Sequence, residues 1–172
     1  MILKKFNFTK ITSTNDKALK LIKADYKNGI ITSDVQTKGR GRYGKKWISV
    51  KGNLYMSIFF EIKKKISITK LNNINIKLVK KALQQFSKKN INIKKPNDLL
   101  INKKKICGIL QETFFYKNKR FLIVGIGVNI VNSPKIYNYP TSYLNNYSVK
   151  KINKTAVSKY IKSIYERNIV GI

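Results

Sequence analysis

Histidine is absent from this chain, and cysteine, tryptophan, proline and acidic residues are scarce: one, one, three and seven in 172 residues. Each shortage removes a class of chemistry. Without histidine the commonest general base and metal ligand is missing, which excludes serine–histidine catalysis and histidine-bearing zinc sites. A single cysteine, Cys107, cannot form an intramolecular disulfide framework. No uninterrupted apolar run approaches the ~20 residues of a membrane-spanning helix. Residues 1 to 12 have neither the apolar stretch nor the small-residue cleavage site of a signal peptide, so a cytoplasmic protein is expected.

What is abundant is positive charge. The chain carries 37 Lys and Arg for a net charge of +30, a balance that points toward nucleic acid or an anionic membrane. Lysine, asparagine and isoleucine together are spread from end to end, however, which reads as a compositional bias and not as a basic stripe on one face. A basic nucleic-acid-binding protein is therefore the rival reading. With 42% hydrophobic residues, the length supports one core and one domain. Internal repeats, domain linkers and low-complexity tails are not found.

Hydrophobic periodicity outlines the elements. Ser13-Thr14-Asn15-Asp16 before Ala18, Leu19, Leu21 and Ile22 predicts a helix capped by Ser13, with Asp16 at its third position and Gly29 after its end. Ile30 to Val35 and Leu54 to Ile62 read as strands. Between them, Gln36 to Lys46 has no apolar residue except Tyr43 and reads as an exposed, mobile loop. Leu71, Ile74, Leu78, Val79, Ala82, Leu83 and Phe86 share a helical face, with Ser67 or Thr69 as cap. Ile91 to Lys94 is a short strand; Leu99 to Ile101 and Ile106 to Phe115 form a hairpin about a turn at Asn102 to Lys104. After a turn at Lys117 to Lys119 comes a buried strand, Phe121 to Ile130. Tyr137 to Asn146 reads as irregular, and Ala156 to Tyr165 as a last helix. Hairpin-linked strands with two helices early and one late predict an α+β fold, a mixed, largely antiparallel sheet packed by helices.

Three segments carry candidate chemistry. Gly39-Arg40-Gly41-Arg42-Tyr43-Gly44 places two of only four arginines between glycines. Glycine permits close backbone approach, and guanidinium matches phosphate or carboxylate oxygens. The segment fits G-x-G-x-x-G, but a strand-like run follows where a dinucleotide fold needs a helix, so that reading fails; a solvated basic loop is the plain alternative. In Lys94-Lys95-Pro96-Asn97-Asp98 and Lys105, an acid and an ammonium would project from the mouth of the hairpin turn toward one ligand; a charged β-turn explains the same residues. In Val124-Gly125-Ile126-Gly127-Val128-Asn129, glycines interrupt a strong strand, as a ligand approach or a curvature-setting bulge would require.

Taken in order, these segments resemble the biotin protein ligases (biotin–[acetyl-CoA-carboxylase] ligases). The resemblance runs through Ser13-Thr14-Asn15, Gln36, the Gly39–Gly44 loop with Trp47, Lys94 to Asp98, Lys105-Ile106-Cys107-Gly108-Ile109-Leu110 with Glu112, Gly127-Val128-Asn129, and Thr141-Ser142 before Leu144. It implies the catalytic domain shared with class II aminoacyl-tRNA synthetases and a two-step reaction. Biotin and Mg-ATP would give biotinyl-5′-adenylate, which a lysine of a biotin carboxyl carrier protein then attacks; no metal-binding residues in the protein are implied. By resemblance, Ser13, Thr14, Gln36 and the Gly41 backbone hydrogen-bond biotin, Asn15 and Gly39 also belong to the binding site, and Arg40, Arg42 and Lys105 hold carboxylate and α-phosphate as the catalytic set. Asn97 and Asn129 would face adenosine, Asp98 would orient Lys105 or a magnesium water, Gly108 would lie in the site, and Trp47 would anchor the loop. Lipoate or octanoate ligation on the same fold is an alternative. Lys95 stands where the family usually has tryptophan, and Lys45 replaces an arginine. Neither the family's small C-terminal β-barrel nor a DNA-binding winged helix is expected within the chain.

Overall fold

A computed structural model describes residues 2–63 and 65–169. The chain forms β1 (Lys5–Ile11), α1 (Thr14–Lys23), β2 (Asn28–Gln36), β3 (Leu54–Ile62), α2 (Ile68–Gln84), β4 (Asn92–Lys94), β5 (Asp98–Ile101), β6 (Lys104–Tyr116), β7 (Lys119–Val128) and α3 (Lys154–Asn168), with short 3₁₀ turns at Arg42–Gly44 and Leu144–Tyr147. The seven strands make one sheet in the order β1-β2-β3-β7-β6-β5-β4. Only β1 and β2 run parallel; every other neighbouring pair is antiparallel. This is the α+β arrangement expected, plus one strand that the sequence conceals. In Lys5–Ile11, Phe6 and Phe8 alternate with polar and charged residues on a half-exposed edge strand, an alternation that Lys10 ends after two apolar residues.

Helix starts follow their caps. Ser13 Oγ accepts from Asp16 N, Ser67 Oγ from Lys70 N, and Asn153 Oδ1 from Ala156 N, each satisfying one of the otherwise unpaired N–H groups of a first turn. The end of α1 differs from expectation. It stops at Lys23, with Asp25 in the left-handed region (φ 65°). Gly29 instead lies within β2, where a Cβ would meet the Phe59 ring at 2.7 Å.

Helices cover both faces of the sheet, and strand alternation assigns each residue its layer. Met56, Ile58, Phe60 and Ile62 of β3 and Leu122, Val124, Ile126 and Val128 of β7 join Leu71, Val79, Leu83, Val157 and Ile161 of α2 and α3 in the larger core. Their alternates Phe59, Phe121 and Ile123 pack on Ala18, Leu21 and Ile22 of α1. Burial of each such side chain contributes about 1.5–3 kcal/mol. Among the described residues, no helix is long and apolar enough to cross a membrane.

Candidate active site

On the face that carries α1, side chains shrink along β7 from Phe121 and Ile123 to Gly125 and Gly127. Opposite Gly127 stands Gly108 of β6. The β3–β7 and β6–β7 ladders run through these positions without a register shift, so the glycines do not mark bulges. They make room for the protein's own side chains: a Cβ on Gly125 would fall 2.4 Å from Asn15 Oδ1, on Gly127 2.5 Å from the Trp47 indole, and on Gly108 2.7 Å from the same ring. Beyond that floor opens a cavity of about 600 Å³, within the range of small-molecule sites.

Thirteen of the fourteen residues singled out from the sequence line this cavity: Ser13, Thr14, Asn15, Gln36, Arg40, Gly41, Arg42, Trp47, Asn97, Asp98, Lys105, Gly108 and Asn129. Gly39 does not. A Cβ there would meet the Trp47 carbonyl at 2.5 Å, so its part is to let the two arms of the loop approach. That loop is a folded hairpin: Arg40 and Lys46 pair, Gly41 N donates to Lys45 O and Trp47 N to Gly39 O, and Tyr43 (φ 54°) and Gly44 (φ 71°) turn the chain.

At the start of α1, Thr14 N donates to Gln36 Oε1 at 2.8 Å, and Ser57 Oγ lies 2.7 Å from Thr14 Oγ1 and 2.5 Å from Asn15 Oδ1. An amide oxygen only accepts, so the single proton of Ser57 goes to Asn15. Asn15 Nδ2 donates to Glu112 Oε2 at 2.6 Å. Both ends of the Asn15 amide are thus engaged within the protein, and its part is to fix the floor.

The two loop arginines are held differently. Arg40 donates from both terminal nitrogens to the Glu112 carboxylate, at 2.9 and 3.0 Å, and from Nη2 to Asp16 Oδ1 at 2.9 Å. Against a desolvation cost that lowers it, hydrogen bonds and charge from Glu112 and Asp16 raise the Arg40 pKa further. Arg42 instead lies over the neighbouring Tyr43 ring at 4.7 Å and donates to its hydroxyl. The fork expected to receive a substrate anion from Arg40 is filled by the chain's own carboxylates.

Asp98 and Lys105 meet, but not as the hairpin reading had it. Asp98 begins β5 at the end remote from the turn and stands opposite Gly108, while Lys105 stands opposite Leu100. An irregularity between Leu99 and Leu100 shifts the register by one residue. The lysine therefore reaches diagonally, and Nζ sits 2.8 Å from Asp98 Oδ1, both side chains largely buried. The contact is one of charge, without hydrogen-bond alignment at that oxygen. Lys105 Nζ also lies 5.2 Å from the Trp47 ring and 5.4 Å from that of Tyr139.

Asn97 and Asn129 serve the frame as well as the cavity. Asn97 Nδ2 donates to Ile109 O, extending the β5–β6 pairing. Asn129 Nδ2 donates to Ser142 O, tying the 139–144 segment to the sheet. Sequence reasoning missed Tyr139, whose hydroxyl donates to Asp98 Oδ2 at 2.6 Å, and gave no role to the Arg40 partnership with Glu112 and Asp16. The latter had a signal in acid scarcity: those are two of only seven carboxylates.

Residues 5–129 match the biotin/lipoate A/B protein ligase family. The chain belongs to this family. Among its members, the bifunctional ligase/repressor BirA of Bacillus subtilis is 30% identical over 169 residues, covering 91% of this chain and 51% of that protein. The chain thus spans about half the length of the first curated relatives it matches. Two solved family structures superpose closely. The biotin protein ligase of Leishmania major in complex with biotinyl-5-AMP gives a TM-score of 0.81 at 27% identity, over 94% of this chain and 72% of that one. The Aquifex aeolicus enzyme in complex with biotin and ATP gives 0.80 at 27% identity, over 96% and 69%.

Proposed function

We propose that this chain is a biotin protein ligase. It activates biotin with Mg-ATP and transfers it to a lysine of a biotin carboxyl carrier protein, with residues 1–172 supplying the catalytic domain. The observation that carries this reading is the gathering of the glycine–arginine hairpin, the glycine floor under Trp47 and the Lys105–Asp98 pair around one cavity. Family membership and the biotinyl-5-AMP and ATP complexes of the similar enzymes support it.

In the first step a biotin carboxylate oxygen attacks the α-phosphorus of ATP. A C(=O)O–P bond forms, the bond to the β-phosphate oxygen breaks, and diphosphate leaves with magnesium as its counter-ion. Both reactants are anions, so the protein must offset their repulsion; Lys105 and Arg42 do so at the carboxylate and α-phosphate, where fixed cations in a water-poor site act strongly. Arg40, anchored to Glu112 and Asp16, holds the hairpin in place. In the second step the carrier's amine attacks the acyl carbon, a C–N bond forms, AMP leaves and the amine proton passes to solvent. No protein nucleophile or histidine is needed.

The test is incubation of the purified chain with biotin, Mg-ATP and a carrier domain. Transfer adds one biotinyl group to the carrier lysine by mass; absence of both adenylate and transfer refutes the reading. Because the family also includes lipoate ligases, unlabelled lipoate is added in competition. Suppression of adenylate formation by lipoate and not by biotin would move the assignment to lipoate.

A further inference from the structure

After β7 the chain turns across the end of β3, held where Asn53 Oδ1 accepts from the Ile130 and Val131 N–H groups and Asn53 Nδ2 donates to Asn132 O. It returns along the first residues of β6: Lys105 N donates to Pro140 O, Ser142 N to Lys105 O, and Lys105 and Thr141 form a parallel bridge. The backbone of Lys105 is thus clasped by the segment that carries Tyr139, one residue before Pro140. The Tyr139 side chain then lies against the Lys105 side chain and Asp98 together.

We propose that Tyr139 is a positioning residue for the adenylation step, fixing Asp98 so that Lys105 is presented to the reacting carboxylate and phosphate; this rests on the ligase reading above. Asp98 has two carboxylate oxygens and two partners, Lys105 at Oδ1 and the Tyr139 hydroxyl at Oδ2. A hydrogen bond of 2.6 Å to one oxygen sets the plane of the carboxylate and directs the other at Lys105. As a substrate anion arrives, Lys105 turns part of its donor capacity toward it. Asp98, largely buried, keeps a donor throughout, so the ammonium can shift without leaving a buried carboxylate unpaired.

The Tyr139 ring adds a second constraint. With Trp47 it places two aromatic rings within 5.4 Å of Lys105 Nζ, and Lys94 Nζ lies 4.4 Å from the same Tyr139 ring. These faces favour a cation between them. Burial, then the bond and the charge of Asp98, push the Tyr139 phenol far above its ordinary range, so it remains a donor at every working pH.

The experiment measures adenylate formation by the full chain and by Tyr139→Phe, Asp98→Asn and the double variant, with biotin KM and the thermal midpoint for each. Tyr139→Phe keeps the ring and removes the donor. It should lower kcat about tenfold with biotin KM unchanged and a thermal midpoint lower by only about 2–4 °C, the cost of one lost hydrogen bond, and in the Asp98→Asn background it should produce no further loss of kcat. A wild-type rate for Tyr139→Phe, or losses that multiply in the double variant, overturns the proposal alone. A wild-type chain that makes no adenylate overturns the ligase reading and this proposal with it.

Discussion

Glycine at 127 separates the contribution of a missing side chain from that of a present one. One added methyl would sit 2.5 Å from two carbons of the Trp47 indole and 2.8 Å from its nitrogen, so the ring must move. Gly127→Ala should lower stability by about 1–3 kcal/mol and adenylate formation at least tenfold. Trp47 is the sole tryptophan, so its emission reports the displacement directly; an unshifted spectrum at full activity would contradict the packing described. The arginines make a second contrast. Among the described residues Arg42 reaches no carboxylate, so Arg42→Ala should weaken retention of the adenylate far more than affinity for biotin, and equal losses would refute its role. Arg40→Ala frees Glu112 and Asp16 and loosens the hairpin, so both affinities should fall. Its effect on stability should be small, about 1 kcal/mol, because these groups are partly exposed.

Between the elements, two-residue turns set the register that brings these residues together. Asn102 (φ 49°) and Lys103 (φ 60°) join β5 to β6, and Lys117 (φ 47°) and Asn118 (φ 57°) join β6 to β7. Two successive left-handed residues match the twist of a hairpin, but lysine takes that conformation at a cost of about 1–2 kcal/mol. Lys103→Gly should therefore raise unfolding free energy by about 1 kcal/mol in urea titrations without altering adenylation; a loss of stability would mean that the turn differs from that described. Much at this scale was legible in the sequence. The Ser13 and Ser67 caps, the bounds of β3 and the Leu71, Val79, Ala82 and Leu83 stripe of α2 follow from local patterns, although Ile76 takes the buried place expected of Ile74. What was not legible depends on distant partners. The edge strand β1 offers only the short Phe6 and Phe8 alternation, half-exposed against the α1 core, the Asp98–Lys105 contact needs a register shift that strand patterns do not encode, and Tyr139 reaches Asp98 across 41 residues of sequence. The strand glycines read as a ligand's approach or a bulge, and only the fold shows that Asn15 and Trp47 occupy the space they leave.

Over the whole molecule, scarce negative charge is placed where it does most. Each of the seven acidic residues lies within 4 Å of a lysine or arginine nitrogen, and three of them, Asp16, Asp98 and Glu112, hold the cations of the cavity or its loop. The remaining excess of +30 has two consequences. It attracts small anions to the surface and the cavity, and it binds any polyanion, with an affinity that falls steeply with log salt. The second effect is not recognition. The large aromatics Tyr55, Phe59 and Phe60 are buried, and the exposed Tyr43, Phe115 and Tyr137 stand on separate segments, which offers no continuous stacking platform for bases. Self-repulsion also destabilises the compact state. Raising salt from about 0.05 to 0.3 M shortens the screening length to well under 10 Å, weakening the repulsion among many cations more than it weakens seven pairs worth about 0–1 kcal/mol each when exposed. Unfolding free energy should therefore rise with sodium chloride while nonspecific DNA binding disappears and biotin binding persists. A stability that is flat or falls with salt would show that the ion pairs, and not the excess charge, dominate the electrostatics of the fold.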